Sequence, residues 1–330
     1  MSLPRVKVVV LGGTITMAPS AQAGITPTLS GEALLAQIPS LKEIASLDVV
    51  TPFLKPGASI TLTEIAELAQ GFAQDDADGI AGIVMVQGTD TIDETSFLID
   101  LLYQGHAPVI VTGAMRGAHA LSADGPSNLH NAISAAADPK TRDLGCLVLL
   151  NEELHTAANV EKMHKGLVSS FQSPNGGPIG YFLEGRLRLL RRPQSRPNLR
   201  LAASSFPTVC IAKPCLDENP ALLNALPSLG YSGVVVEAMG VGHVPGQVLD
   251  ALHALTQSLP VVLASRVTGG PVYTNTYGFP GSEIDLIKRL GLIPAGWLSP
   301  QKARLLLTLC LASGMKKDDI ESAFAQFDPR

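Results

Sequence analysis

Short apolar runs alternate with amphipathic stretches through the first half of the chain. Residues 6–11 and 83–86 are apolar except for Lys7, rich in β-branched side chains and followed by glycine, and similar runs cover 108–112 and 146–150. Such runs are typical of buried strands in a parallel sheet. Helical spacing of apolar residues begins near Ser30, after Thr61, near residue 94 and near residue 126. The alternation predicts a parallel sheet covered by helices.

The alternation breaks once and then resumes. Arginine, proline, serine and asparagine dominate residues 186–207, which predicts a linker. Beyond it, we predict strands over 233–236 and 260–264 and helices over 246–257, 300–312 and 317–327. The fold class is therefore α/β with two α/β domains. The prediction is a larger N-terminal parallel-sheet domain over 1–190, a linker over 191–207, and a smaller C-terminal α/β domain over 208–330.

Composition and charge narrow the function classes. The 330 residues carry a net charge of −5, and the arginine cluster between residues 186 and 200 lies in the proline-punctuated stretch. We interpret that cluster as a solvated linker or interface strand, and we expect no nucleic-acid partner. No apolar run reaches the roughly 18 residues that span a bilayer. Since the first strand begins too early for a signal peptide, we expect no membrane association and a cytoplasmic location.

Several cofactor and nucleophile motifs are missing from the sequence. It contains no GxSxG elbow, no Walker A loop, no GxGxxG and no HExxH, which argues against a serine hydrolase, a nucleotide site and a zinc site. The four cysteines form no CxxC pair and lie mostly in apolar segments. Buried free thiols are favoured over disulfides or a metal site. We predict no cofactor and no metal.

Two glycine–threonine turns follow predicted strands directly. One is Gly12-Gly13-Thr14-Ile15 and the other is Gly88-Thr89-Asp90-Thr91. Ligands of open α/β sheets bind at the carboxyl ends of the strands, where glycine lets backbone N–H groups approach closely. The two hydroxyls therefore indicate one active site. Each turn alone is also compatible with simple capping of the next helix.

A threonine hydroxyl needs a base or a hydrogen-bonded cation before it attacks a carbonyl group. Asp90 is the adjacent helper of Thr89. Lys162, just past a strand of the same domain, is a second candidate, because a partly desolvated lysine beside a carboxylate can exchange a proton. The alternative for Lys162 is an ordinary surface lysine.

Five segments together resemble the bacterial-type L-asparaginases, a family of asparaginases and glutaminases. They are Gly12-Gly13-Thr14-Ile15, Gly88-Thr89-Asp90-Thr91, Val111-Thr-Gly-Ala-Met-Arg116, Ser122-Ala-Asp-Gly125 with Asn128-Leu129, and Ser299-Pro-Gln-Lys-Ala-Arg304. The resemblance extends over nearly the whole chain. It implies an amidohydrolase that converts L-asparagine to L-aspartate and ammonia in a homotetramer, a dimer of dimers. Each site would lie where one subunit's N-terminal domain meets its partner's C-terminal domain.

The resemblance also implies roles for individual residues. Thr14 matches the first threonine, the one generally assigned as nucleophile, while Thr89, Asp90 and Lys162 match a second, rigid group. Backbone N–H groups near Thr89 and Ala114 would stabilise the oxyanion. Which threonine attacks first, and whether water attacks directly, stays open at this point. The substrate-binding candidates are Gly57, Ala58, Ser59, Gly88, Ala114, Met115 and Tyr277.

The sequence departs from the family pattern at expected substrate contacts. The loop over residues 15–31 contains no tyrosine, and Gly24-Ile25-Thr26-Pro27 stands there. Gly57-Ala58-Ser59 matches the family's Ser-Gln-Asp element only loosely, Gly240-Val-Gly242-His243 stands in place of a Gly-Asn-Gly-Asn turn, and the partner-subunit glutamate has no clear match. Each lost polar partner of a charged amino group costs on the order of 1–3 kcal/mol. Either another residue such as Tyr277 replaces the missing loop tyrosine, or the substrate is an amide without the charged α-amino group of asparagine.

Asparagine hydrolysis is the leading hypothesis. One alternative is an amidase of the same fold that acts on another small amide or on a peptide-linked asparagine. A non-catalytic binding protein of this fold is the other. The set of Thr14, Thr89, Asp90 and Lys162 argues against the binding protein, because binding alone does not require that combination.

Overall fold

The structure, a computed structural model, describes residues 2–19, 25–27, 30–193 and 205–328. The chain divides into two units, Met1–Asn198 and Leu199–Arg330. Most of the predicted linker over 191–207 lies outside the described residues, as do part of the arginine cluster and residue Gly24 of the loop that follows Thr14.

An eight-stranded sheet dominates the first unit. The strands of the unit are β1 (Arg5–Val10), β2 (Met17–Pro19), β3 (Ile25–Pro27), β4 (Ser46–Val50), β5 (Gly82–Val86), β6 (Val109–Thr112), β7 (Cys146–Leu150), β8 (Glu153–Thr156), β9 (Glu161–Lys162), β10 (Phe171–Gln172), β11 (Gly180–Leu183) and β12 (Arg186–Leu189). Its helices are α1 (Gly31–Ala36), α2 (Leu41–Ile44), α3 (Leu62–Ala77), α4 (Ile92–Leu102) and α5 (Gly125–Ala137). Two separate strand pairs, β2 with β3 and β9 with β10, complete the unit.

The large sheet contains both parallel and antiparallel strand pairs, and its strands lie in the order β12-β11-β8-β7-β6-β5-β1-β4. Strands β4, β1, β5, β6 and β7 run parallel, whereas β8, β11 and β12 extend the sheet antiparallel. The parallel core confirms the predicted α/β class, and the antiparallel extension was not predicted. Two-residue turns with positive φ join β7 to β8 at Asn151 and Glu152 and join β11 to β12 at Glu184 and Gly185, the geometry of tight hairpins.

The linker prediction is wrong at its N-terminal end, because Arg186–Leu189 forms the edge strand β12. Leu187 is buried, while Arg186 and Arg188 on either side of it are exposed. That alternation is the strand pattern of one buried and one solvated face. Of the two interpretations of the arginine cluster, this segment is therefore a strand and not a linker.

Local sequence signals set the helix starts near the large sheet. The Thr61 hydroxyl accepts a hydrogen bond from the N–H of Glu64, whose carboxylate accepts from the N–H of Thr61. This is the capping box expected from the spacing. Ser30 caps α1 by accepting from the N–H of Ala33. Every residue of β5 is buried, and α5 packs against that strand at Gly82.

The second unit has its own four-stranded parallel sheet, in the order β13-β14-β15-β16. Its elements are β13 (Val209–Ala212), α6 (Ala221–Ala225), β14 (Gly233–Ala238), α7 (Leu249–Thr256), β15 (Val261–Ser265), β16 (Ile293–Pro294), α8 (Pro300–Ala312) and α9 (Lys317–Ala325). A separate apolar core around Val234, Val236 and Leu263 holds this unit together. None of the helices in the described part of either unit has both the length and the apolar content to cross a membrane.

The four cysteines are free thiols. Cys146 and Cys310 are buried, whereas Cys215 is exposed, so burial holds for only part of the set. Burial raises the pKa of the Cys310 thiol to about 12, which keeps that thiol protonated and unreactive at neutral pH.

Candidate active site

The two glycine–threonine turns lie side by side. Strands β1 and β5 are parallel neighbours, so the chain leaves both at the same edge of the sheet. The N–H of Leu11 donates to the carbonyl of Val86 at 2.8 Å and continues the pairing to the ends of the strands. Each threonine then begins a short 3₁₀ turn, Thr14–Thr16 in one case and Thr89–Thr91 in the other.

Close backbone packing of three glycines fixes the spacing of these turns. A Cβ atom on Gly13, whose φ is +92°, would lie 2.3 Å from the nitrogen of Gly88. A Cβ atom on Gly57 would lie 2.8 Å from the carbonyl oxygen of Gly88. A side chain at either position would clash with this backbone, so the turn Gly57–Ser59 and the turn at Gly13 both pack closely on Gly88. Its remaining residues, Ala58 and Ser59, are exposed.

Lys162 contacts the second threonine turn directly. Its Nζ donates to Thr89 Oγ1 at 3.0 Å and to Asp90 Oδ1 at 3.2 Å. Thr89 is 7% exposed, and the side chains of Lys162 and Asp90 are 17% and 65% exposed. The buried Thr89 Oγ1 therefore accepts a charge-assisted hydrogen bond from the Lys162 ammonium.

A hairpin brings Lys162 to this position. Strands β9 and β10 pair antiparallel, and the N–H of Lys162 donates to Asp93 Oδ2 at 3.2 Å. Beyond β10, the Ser173 hydroxyl lies 2.9 Å from Nδ1 of the fully buried His155. Asp93 lies outside the motifs that the sequence offered. Its only signal was an acidic residue in the first turn of α4, three positions after Asp90.

A buried amide shapes the turn around Thr89. Gln87 is fully buried; its Oε1 accepts from the Thr95 hydroxyl at 2.8 Å, and its Nε2 donates to the Gly88 carbonyl at 3.2 Å and to Thr91 Oγ1 at 3.3 Å. Thr91 in turn donates to the carbonyl of Gly57 at 3.1 Å. Since these bonds satisfy the Gln87 amide inside the protein, they hold the turn in one conformation. No local sequence pattern pointed to Gln87.

The turn after β6 borders the site next to the second threonine turn. A Cβ atom on Gly113 would lie 3.2 Å from Cγ2 of Thr89, so this turn packs on the threonine side chain. Ala114 is buried. The N–H of Met115 donates to Asp124 Oδ2 at 2.9 Å, whereas the described residues offer the N–H of Ala114 no acceptor.

An open depression lies next to Lys162. It has a volume of about 420 Å³ and is lined by Asp90, Lys162, Met163, His164 and Lys165. The exposed carboxylate of Asp90 and the ammonium of Lys162 thus border a space that is large enough for a small polar molecule.

Tyr277 belongs to the second unit, where it forms an aromatic cluster with His243 and Phe279. The rings of Tyr277 and Phe279 each lie 5.0 Å from the His243 ring, centroid to centroid. Glu283, fully buried, lies 3.2 Å from His243 Nε2 and accepts from the N–H groups of Thr276 and Tyr277 at 2.8 and 2.6 Å. Burial alone raises the pKa of Glu283, but these bonds outweigh it and hold that pKa below its ordinary value. Sequence analysis did not single out Glu283.

The first unit carries two threonine turns at the carboxyl ends of the parallel strands β1 and β5, and a second α/β unit follows it. This arrangement defines a class of two-domain enzyme. A model of the N-terminal asparaginase domain matches residues 5–195, and a model of the glutaminase/asparaginase C-terminal domain matches residues 208–324. The chain belongs to the asparaginase family, which confirms the resemblance drawn from its motifs.

Individual relatives are similar over almost their whole length. The chain is 34% identical to a probable periplasmic L-asparaginase of Haemophilus influenzae, over 98% of this chain and 93% of that protein. It is 30% identical to L-asparaginase 2 of Escherichia coli, over 99% and 94%. The crystal structure of a probable cytoplasmic L-asparaginase from Campylobacter jejuni is similar with a TM-score of 0.88 and 29% identity, covering 98% of this chain and 99% of that one.

Proposed function

We propose that this protein is an amidohydrolase that hydrolyses L-asparagine to L-aspartate and ammonia. The observation that carries the proposal is the contact of the Lys162 ammonium with both Thr89 Oγ1 and Asp90 Oδ1, beside the turn that begins with Thr14. Relatives similar over nearly the full chain are L-asparaginases by name.

The proposed reaction has two covalent steps. Thr14 Oγ1 attacks the carbon of the side-chain amide, the proton of Thr14 passes to the amide nitrogen, and the C–N bond breaks to release ammonia. An ester between Thr14 and the aspartyl group remains. Water then attacks this ester, one water proton returns to Thr14 Oγ1, and aspartate leaves with the water oxygen.

Thr89, Lys162 and Asp90 serve this chemistry as a proton-transfer group. The ammonium of Lys162 stabilises negative charge on Thr89 Oγ1, which lets that hydroxyl give up its proton and take it back. Asp90 offsets the lysine charge through Oδ1. We assign its other oxygen to the ammonium group of the substrate, because the Asp90 side chain is 65% exposed beside the depression.

The N–H of Ala114 is the proposed donor to the oxyanion. Met115 is unsuited to that role through its backbone, because its N–H is already bonded to Asp124. The buried position of Ala114 strengthens any bond that its N–H makes to a developing charge.

Assembly and location complete the proposal. We infer a homo-oligomer, a dimer of dimers, in which Tyr277 and His243 of a second copy complete the site that begins at Thr14. The exposed rings of Tyr277 and Phe279 support an interface there, since each is more than 40% exposed. A cytoplasmic location follows the Campylobacter jejuni protein, although the Haemophilus influenzae relative is described as periplasmic; fractionation of the source cells decides this.

Ammonia release from the purified protein tests the function. L-asparagine, L-glutamine, propionamide and a blocked peptide containing asparagine are compared at equal concentrations. We expect L-asparagine to be hydrolysed fastest. Faster release from propionamide or the peptide would mean that the enzyme acts on another amide and not on free asparagine. No release from any of the four would mean that the protein binds ligands without catalysis.

A further inference from the structure

The turn after β6 is held by the carboxylate of the residue that precedes the next helix. Asp124 directly precedes α5, a position where an aspartate ordinarily accepts from N–H groups of its own helix, yet its side chain makes no such cap. Instead Oδ2 accepts from the N–H of Met115 and Oδ1 from the N–H of Arg116, both at 2.9 Å. The carboxylate is therefore committed to the neighbouring turn.

Asn128 connects the turn after β6 to Asp124 and to the turn after β7. Its side chain is buried, with Nδ2 donating to the carbonyl of Gly113 at 3.0 Å and to Asp124 Oδ2 at 3.1 Å. Its Oδ1 accepts from the N–H of Asn151, in the turn after β7, at 2.9 Å. A buried amide with both ends bonded allows little rearrangement, so the start of α5 and the ends of β6 and β7 are tied together.

The held turn contacts the second threonine turn, and the start of α5 contacts the first. On one side, a Cβ atom on Gly113 would lie 2.6 Å from the carbonyl oxygen of Gln87 and 3.2 Å from Cγ2 of Thr89. On the other side, a Cβ atom on Gly125 would lie 2.8 Å from Cγ1 of Ile15, the residue after Thr14, and 3.4 Å from Cβ of Ala114. A shift of this turn therefore moves groups that pack on Thr89, and Gly125 places the start of α5 between Ala114 and the residue that follows Thr14.

We infer that Asp124 and Asn128 are positioning residues that aim the N–H of Ala114 at the oxyanion. The inference rests on the proposed amide hydrolysis. By binding the N–H groups of Met115 and Arg116, Asp124 fixes the peptide orientation that follows Ala114. A donor that is held in place before the reaction stabilises the transition state without reorganising, and small misplacements are costly in rate.

The chain provides a matched control at the other end of the same strand. Asp76 accepts from the N–H groups of His106 and Ala107, two successive residues, at 2.9 Å each. That segment leads into β6, whereas Met115 and Arg116 follow it. Asp76 and Asp124 thus perform the same hydrogen bonding at opposite ends of β6, and only Asp124 is near the threonine turns.

The test compares Asp124→Asn and Asp124→Ala with Asp76→Asn and Asp76→Ala. For each protein, kcat and KM for L-asparagine are measured, and amide hydrogen exchange is followed by mass spectrometry. We expect Asp124→Ala to lower kcat by about 10- to 100-fold while KM stays within about 3-fold, since the lost alignment acts mainly in the transition state. Residues 113–116 should exchange faster. Both Asp76 variants should keep wild-type kcat and loosen only residues 106–107.

Each result bears on the inference. Wild-type kcat in folded Asp124→Ala overturns it, as does unchanged exchange over residues 113–116, and an equal loss of kcat in the Asp76 variants shows a general stability effect that also overturns it. If Asp124→Ala does not fold, Asp124→Asn decides, because the amide keeps one acceptor oxygen. A wild-type protein without amidase activity refutes the proposed function instead, and the exchange comparison still decides whether Asp124 holds the turn.

Discussion

At the scale of single residues, Thr89 is distinguished by the cation that contacts it. Its hydroxyl oxygen accepts from Lys162, 73 residues further along the chain, and the buried surroundings make that bond stronger than it would be in water. The oxygen is thus prepared to carry negative charge, which a threonine that only caps a helix does not need.

Removing either hydroxyl should therefore stop the reaction without unfolding the protein. Thr89→Val and Thr14→Val keep nearly the same volume, and we expect each to lower turnover of L-asparagine by at least about 10²-fold, the range of a lost catalytic group. Thr308→Val is the control, since Thr308 is a buried threonine of α8 whose hydroxyl bonds to the carbonyl of Arg304. Wild-type turnover in both Thr14→Val and Thr89→Val would refute the two-threonine mechanism.

Lys162 should matter through its proton as well as its charge. Lys162→Met keeps most of the side-chain length but cannot donate to Thr89 Oγ1, so we expect turnover to fall by about 10²-fold or more and the pH–rate profile to change shape. Turnover is measured across the pH range for the wild type, Lys162→Met and the exposed-lysine control Lys140→Met. A profile identical in shape for Lys162→Met and the wild type would remove Lys162 from the proton transfer.

Sequence reasoning at this scale found residues with a local signature and missed residues with a distant partner. Thr14 and Thr89 follow strands directly, so their place at the sheet edge was predictable. Asp93 has no such signature, and Asp124 was given no role although it lies in one of the five family segments, because the two carboxylates accept from backbone groups of Lys162 and Met115 on other segments. Only the fold determines which N–H groups those carboxylates meet.

At the scale of elements, the buried helices and strands were predictable and the sheet edge was not. The helix α8 has the predicted bounds, Pro300–Ala312, because its periodicity is long and its first residue is a proline. Strands β8, β11 and β12 have four residues each. Strands that short depend on their neighbours for stability, and the arginines of β12 concealed its alternation.

Alanine substitutions at two glycines test the packing of β5 against α5 and the exposure of α3. A Cβ atom on Gly82 would lie 2.1 Å from the carbonyl oxygen of Ala136, so Gly82→Ala forces β5 and α5 apart. We expect it to lower the free energy of unfolding by about 1–3 kcal/mol or more. Gly71, inside α3, has open space at its Cβ position, and Gly71→Ala should raise that free energy by about 0.5–1 kcal/mol.

Urea unfolding of the three proteins measures both effects. The comparison requires equal slopes of the free energy against denaturant, because a changed slope would mean a changed native or unfolded ensemble. Gly82→Ala as stable as the wild type would show that α5 can move away from β5, and a destabilised Gly71→Ala would mean that α3 is covered at that point.

At the scale of the whole molecule, the two units divide the proposed work. The first unit holds the threonine turns, Lys162 and the backbone donor at Ala114, whereas the second presents Tyr277 and Phe279 to the outside. The sequence predicted the two α/β folds, but a single chain does not encode which surface meets a second copy. The tie between Glu283 and His243 was likewise unpredicted, since 40 residues separate the pair.

In the proposed shared site, assembly and substrate recognition depend on the same surface around Tyr277. If a second copy completes each site, the active particle is at least a dimer, and light scattering at the assay concentration measures this. Tyr277→Phe should then lower turnover of L-asparagine by roughly 10-fold or more, the effect of losing a hydrogen bond to a charged group. Tyr231→Phe, at a tyrosine packed against the core of the same unit, should leave turnover unchanged. A fully active monomer would refute the shared site, whereas wild-type turnover in a dimeric Tyr277→Phe would exclude only the tyrosine hydroxyl from substrate recognition.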